Sequence, residues 1–288
     1  MNGILIINKP LGYTSRDIVN TICKEFHTKK VGHTGTLDPN ASGVLIICLG
    51  KALKIIELMD DDDKEYIAEV ILGIETDTLD LDKNATILRR EKVDIDNETI
   101  KNTINSFKGK YMQTVPKYSA VKVNGKKLYE YARNNISVDL PKKEVNIKDI
   151  QILDEIKKEN DKISFKIKCT VSKGTYIRSL IRDIGDKLNV PAVMKSLVRT
   201  RIGNFTITDS YTLDDIKNNN YELISILDTF PNIPRITVDN KLAKMVSNGR
   251  VLDKLFNNDL AFILDNNNNL LALYKNIDNK SRPYKMFV

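Results

Sequence analysis

Residues 163–188 constrain the architecture more than any other stretch. Ile163, Phe165, Ile167, Cys169 and Val171 alternate with polar residues at the period of a half-buried strand. Gly174 breaks the run, after which Ile177, Leu180, Ile181, Ile184 and Leu188 repeat at helical spacing. A strand that passes through a tight turn into an amphipathic helix needs sheet and helix to share one core. The chain therefore reads as mixed α/β (α+β), a mixed sheet with flanking helices, and Tyr176 and Arg178 fall at the start of a helix.

Outward from there, residues 3–8 predict a strand ended by Lys9-Pro10 and a turn at Gly12. A helix follows, with Ser15 as its N-cap and Ile18, Ile22 and Phe26 on its apolar side. A polar, Gly-containing loop over 32–43 leads to an apolar strand at 44–49 and a short helix at 52–58. That loop is where function would concentrate, since loops on a rigid scaffold carry most reactive side chains. The acidic run 60–63 reads as a solvated turn, and 66–74 as an alternating strand with Tyr66 at a sheet edge. A helix over 97–107 presents Ile100, Ile104 and Phe107, and the basic, Tyr-rich segment 109–141 reads as an insertion. Beyond Pro231 and Pro234 the pattern shortens to a helix at 240–247, strands at 260–264 and 270–274, and a turn at 266–269. The division is a catalytic domain over 1–230 and a small β-rich domain over 231–288.

Several classes of chemistry drop out. Cys23, Cys48 and Cys169 form no CxxC pair and read as small core residues. The two histidines, His27 and His33, show no zinc-binding spacing, so no metal is expected. The reacting groups must be carboxylates, Tyr, Lys or Arg, unless a cofactor supplies them. The apolar run 4–7 is too short for a secretory signal and no stretch approaches a membrane span, so no membrane association and a cytoplasmic location are expected. The 45 basic and 38 acidic residues, net +7, suggest an anionic partner. Eleven Tyr residues without a Trp, several set among Lys and Arg, suit a surface that stacks bases while neutralising phosphates.

Three motif matches fail. Residues 43–52 end in Gly-Lys like a phosphate loop but carry strand residues between the glycines and Ala52 where Ser or Thr should hold magnesium. Asp80, Asp82, Asn84 and Glu91 have calcium-loop spacing, yet Ala85 replaces the turn glycine. His33 and Asp38 lack the nucleophile elbow of a hydrolase.

The remaining segment, Val31-Gly32-His33-Thr34-Gly35-Thr36-Leu37-Asp38-Pro39-Asn40-Ala41-Ser42-Gly43, resembles the signature GHTGTLDPxATG of the TruB family of pseudouridine synthases, with Ser42 for Thr. The resemblance recurs in order. Asn8-Lys9-Pro10 to Ser15 is similar to the family's Lys-Pro motif, Lys64-Glu65-Tyr66 to the segment bearing its active-site Tyr, and Thr76-Asp77-Thr78-Leu79-Asp80 follows. Residues 116–133 resemble its RNA-gripping thumb, 173–180 the segment with its active-site Arg, and 197–203 its last motif. Val198 stands where an Arg is common, and Asn135 where a Gly is frequent, though Asn tolerates a left-handed turn.

The resemblance implies an enzyme that isomerises uridine 55 in the tRNA T-loop to pseudouridine, without a cofactor, on a flipped-out nucleotide. It implies Asp38 as the catalytic aspartate acting on the ribose, by attack on C1′ or removal of a C2′ proton. Arg178 is implied as the partner of Asp38, and Tyr66 as a stacking face and candidate for proton transfer at C5. Tyr176 and Leu197 would wall the base pocket, His33 would bind the RNA or help flip the base, and Lys9 would support the site through its loop. In the thumb, Lys122, Lys126, Lys127 and Arg133 would grip the T-arm stem-loop. The C-terminal domain resembles the family's PUA-type RNA-binding module. A stand-alone monomeric enzyme is expected, with no obligatory protein partner. A guide-RNA-dependent synthase of the dyskerin type and a catalytically idle tRNA-binding protein are the rivals.

Overall fold

The computed structural model describes residues 1–59, 62–83 and 85–288. Asp60 and Asp61 of the acidic run, and Asn84 of the rejected calcium loop, lie outside the described residues.

The chain opens with β1 (Gly3–Lys9), α1 (Ser15–Glu25), β2 (Val31–His33) and β3 (Ala41–Leu49). A 3-10 helix, Gly50–Leu58, precedes β4 (Lys64–Leu72), β5 (Ile74–Thr76), β6 (Ile87–Arg90) and α2 (Asn97–Asn105). Then come β7 (Gly109–Thr114), β8 (Lys122–Val123), β9 (Lys126–Lys127), α3 (Leu128–Arg133) and β10 (Lys142–Ile152). The central motif follows as β11 (Lys157–Glu159), β12 (Lys162–Val171), α4 (Ile177–Leu188), β13 (Ala192–Ile202) and β14 (Phe205–Thr206). After α5 (Leu213–Lys217) and α6 (Ile226–Thr229), the C-terminal part holds β15 (Arg235–Thr237), α7 (Asn240–Ser247), β16 (Leu252–Asp253), β17 (Leu260–Leu264), β18 (Leu270–Ile277) and β19 (Lys280–Met286).

The large sheet runs β1-β3-β13-β4-β12-β10-β7, with β2, β11 and β14 as side branches. Its neighbours are antiparallel except at one seam, where β3 and β13 run parallel with Leu197 opposite Ala41 and Arg199 opposite Gly43. The alternation in β12 buries Ile163, Phe165, Ile167, Cys169 and Val171 against α2 and α4. Each such aliphatic or aromatic side chain contributes roughly 1.5–3 kcal/mol on burial. Helix α1 covers the β1 and β3 face through Ile18, Val19 and Ile22.

The small sheet, β15-β17-β18-β19-β16, is the β-rich C-terminal unit expected after Pro231. Phe262, Leu264, Leu273 and Phe287 share a cluster with Ile4, Ile6, Val44 and Ile46 of the large sheet. This unit is thus packed onto the first rather than tethered to it.

Four expectations change. Tyr66 is not at a sheet edge: β4 lies between β12 and β13, so Tyr66 faces Cys169 on one side and Arg199 on the other. The 109–141 segment is not all insertion, because β7 is an edge strand of the main sheet, hydrogen-bonded to β10. The 32–43 loop is shorter, since β2 and β3 reach in from either end. The N-cap of α1 is Thr14, not Ser15: Thr14 and Asp17 form a reciprocal capping box that leaves the Ser15 hydroxyl for another task.

Candidate active site

That task is to hold the loop before β3. The Leu37 N–H donates to the Ser15 hydroxyl at 2.9 Å, and the hydroxyl donates to the Leu37 carbonyl at 3.3 Å. The Gly12 N–H donates to the Pro39 carbonyl at 2.9 Å, and the Ala41 N–H to the Asp38 carbonyl at 3.0 Å. Asp38 therefore stands on a short turn whose flanking peptides are anchored to α1 and to the loop after β1.

Arg178 reaches it from the first turn of α4. One guanidinium nitrogen lies 2.7 Å from Asp38 Oδ2 and donates to the Tyr118 carbonyl at 3.2 Å. The other donates to the Thr78 carbonyl at 3.1 Å. A cation at a helix N-terminus is disfavoured by the helix dipole, so a carboxylate partner offsets that cost. The planar fork also joins three otherwise separate segments, which one ammonium could not do.

Asp38, Tyr66, Tyr176, Arg178 and Leu197 line a single cavity of about 200 Å³ at the parallel seam, together with Lys64 and Lys173. Tyr66 is 7% exposed. Tyr176, the N-cap residue of α4, is half-buried, and burial pushes its phenol above the ordinary tyrosine range. Its peptide is bracketed by Gln113 of β7, whose side-chain oxygen accepts from the Tyr176 N–H at 2.8 Å and whose amide donates to the Tyr176 carbonyl at 3.2 Å. Asp80 is buried close by and accepts from the Thr78 hydroxyl at 2.6 Å; burial raises its carboxyl, and the Thr78 bond opposes this.

Other expected site residues lie elsewhere. Lys9 is fully buried, its ammonium donating to the Pro10 carbonyl at 3.0 Å and the Tyr13 carbonyl at 2.7 Å. It braces its own loop and presents no surface to RNA, which corrects its grouping with RNA-binding residues. Burial lowers its pKa to about 8, with Asp38 opposing and Arg199 adding to the shift. His33 lies on β2 opposite Ile47, off the cavity wall, with a half-buried imidazole whose Nδ1 has no hydrogen-bond partner among the described residues.

The thumb is a hairpin of β8 and β9 around Asn124-Gly125, both in left-handed conformation, capped by α3. Lys122 and Lys126 are exposed on it, as is Arg133. Lys127 and Arg133 both stack on the Tyr129 ring, 5.4 and 5.3 Å from its centroid. Asn135 takes the left-handed conformation that its tolerance for such turns implies.

Sequence reasoning passed over Arg199, Gln113 and the loop-holding role of Ser15. Arg199 lies inside the 197–203 motif; Gln113 carries no local signal.

The family model described as TruB family pseudouridylate synthase (N terminal domain) matches residues 24–177, more than half of the chain. The chain belongs to the TruB family. The model of the tRNA pseudouridylate synthase B C-terminal domain matches residues 178–228, so the TruB match runs without a break from α1 to α6. Among curated TruB relatives, tRNA pseudouridine synthase B of Bacillus subtilis (strain 168) is 44% identical over 259 residues, 88% of this chain and 84% of the relative. The protein of that name from Caldanaerobacter subterraneus subsp. tengcongensis is 38% identical over 290 residues, 100% of this chain and 99% of the relative. Among solved structures, a chain of a Cbf5-Nop10-Gar1 complex superposes with a TM-score of 0.69 at 25% identity, covering 99% of this chain and 84% of that one. A chain of an H/ACA RNP bound to a substrate RNA containing 2′-deoxyuridine matches in fold with the same TM-score at 24% identity, covering 99% and 85%. The fold shared with these chains therefore extends through the β-rich C-terminal unit.

Proposed function

We propose that this chain isomerises uridine to pseudouridine in tRNA, at position 55 of the T-loop, with Asp38 acting on the ribose of a flipped-out nucleotide. The observation that carries this reading is the Arg178–Asp38 pair at the mouth of a cavity walled by Tyr66, Tyr176 and Leu197. A base taken out of its stack needs aromatic and apolar walls to replace its neighbours. The carboxylate stabilises positive charge developing at the sugar, whether it then attacks C1′ or removes the C2′ proton.

The reaction breaks the N1–C1′ bond, turns the uracil and rejoins it through C5. The C5 proton leaves as N1 gains one, so no atom is lost and no electron transferred. In this reading the ring of Tyr66, on the cavity wall, faces the uracil and its hydroxyl takes part in that proton exchange. The exposed Lys122 and Lys126 of the thumb, with Arg133, grip the phosphates of the T-arm, and the C-terminal unit serves as a PUA-like RNA-binding module.

Stand-alone action is favoured over guide-RNA dependence because whole-length alignment is to a protein named for tRNA. The test is incubation of the purified chain alone with an unmodified tRNA transcript, followed by mass-spectrometric mapping. One pseudouridine at position 55 is expected. Product only when a guide RNA or protein partner is added, or no product while tRNA binds tightly, would overturn the reading.

A further inference from the structure

Arg199 is the largest fully buried side chain among the described residues, 1% exposed. A guanidinium taken out of water is costly unless its donors are met, and a carboxylate is the usual partner. Among the described residues Arg199 has none. Its Nε donates to the Val44 carbonyl at 2.7 Å, Nη1 to the Thr36 carbonyl at 3.1 Å and Nη2 to the Gly35 carbonyl at 3.4 Å. The other fully buried cation, Lys9, is close enough for the two charges to repel. An apolar side chain of similar length would avoid both costs, so packing alone does not explain an arginine here.

The backbone places it with equal strictness. Arg199 pairs with Gly43 across the parallel seam of the large sheet, and Gly43 has φ 106°. A methyl group on Gly43 would overlap the Arg199 carbonyl. Strand β13 is thereby pressed against β3, and the guanidinium passes beneath the seam to the loop that carries Asp38. Thr36 is two residues before Asp38, and Leu37 between them is held by Ser15. Arg199 and Asp38 line the same cavity, yet no ion pair joins them among the described residues.

We propose that Arg199 is a positioning residue for the isomerisation: by tying the Gly35 and Thr36 carbonyls to Val44, it sets where the Asp38 carboxylate stands relative to the ribose. This rests on Asp38 being the catalytic carboxylate. A displacement of about 1 Å at a reacting group lowers rates by about 10²-fold, which sets the size of the effect.

The experiment compares Arg199→Met, Arg199→Lys and Asp38→Asn with the wild type in single-turnover reactions with excess enzyme, alongside tRNA binding and thermal melting. Misplacement of Asp38 lowers the rate constant reached at saturating enzyme, whereas loss of folded protein is made up by raising the enzyme concentration. Arg199→Met should fold, bind tRNA within about 3-fold of wild type and lose about 10²-fold in rate constant. Arg199→Lys keeps the cation and stem but reaches fewer carbonyls, so it should recover part of that loss while remaining at least about 10-fold slow. If Arg199→Met does not fold, Arg199→Lys decides the matter. A wild-type rate constant in folded Arg199→Lys, or a loss wholly accounted for by weaker tRNA binding, overturns the proposal. Normal turnover by Asp38→Asn would instead remove the reading on which it rests, whatever the Arg199 variants do.

Discussion

Arg178 and Asp38 meet at 2.7 Å although the arginine side chain is 8% exposed and the aspartate 43%. The cation belongs to the scaffold and the anion to the opening. It is Oδ2 of the carboxylate that meets the guanidinium.

Arg178→Lys should lower turnover by about 10²-fold, the scale of a displacement of about 1 Å at a reacting group. A lysine can meet Asp38 but not the Thr78 and Tyr118 carbonyls at the same time. Asp38→Asn should abolish turnover while tRNA binding stays within a few-fold, because in the proposed function the carboxylate contributes charge at the sugar rather than phosphate affinity. Single-turnover assays paired with filter binding measure both, and wild-type turnover in either variant would refute the prediction.

Tyr66→Phe separates the two roles of that residue. Its strand, β4, is held between β12 and β13, so the variant should fold and bind tRNA normally. If the hydroxyl takes part in proton transfer, the rate should fall by roughly 10² to 10⁴, the usual worth of a positioned acid or base. An unchanged rate would confine Tyr66 to stacking.

For the thumb, Lys122→Ala combined with Lys126→Ala should weaken tRNA binding and flatten its dependence on salt. Each phosphate left without its lysine should reduce the slope of log-affinity against log-salt by roughly 0.7–0.9. Lys127→Ala should change the slope less, since its ammonium already rests on the Tyr129 ring. Titrations at several salt concentrations give these slopes, and a wild-type slope in the double variant would show that the hairpin is not the grip.

His33 offers a pH test of stability. Burial, aided by the charges of Arg16 and Arg199, holds its imidazole below the ordinary 6.5. The folded state then binds this proton less readily than the unfolded chain, so the contribution is present above 6.5 and is lost as pH falls through the folded value. Urea unfolding at about pH 7.5 and 5.5 should show a smaller fall in stability for His33→Gln than for wild type. Equal falls would mean that His33 is not the group responsible.

Much of this arrangement is legible in the sequence because it is local. The β12-to-α4 passage follows from two periodicities separated by one glycine, and the helix at 240–247 and the strand at 260–264 follow from the same patterning. Asp38, Tyr66, Tyr176, Arg178 and Leu197 stand out because each sits in a contiguous motif, and the cavity that collects them draws on those motifs. The cap of α1 differs by one residue from the expected one because Thr14 and Ser15 offer the same hydroxyl, and the choice depends on Leu37, 22 residues on.

By itself, then, the sequence determined the mixed α/β character, the central strand and helix, the polar loop that carries Asp38 and the identity of the residues that meet in the cavity. Only the tertiary structure decided that β4 is interior, that β7 belongs to the sheet, and that Lys9 is sealed beneath its loop. It also decided that Arg199 passes under a parallel seam to the Asp38 loop and that Gln113 brackets the Tyr176 peptide. The physical reason is range: periodicity and capping act over a few residues, whereas strand order, burial of a cation and the partner of a distant carbonyl exist only once remote segments have been brought together.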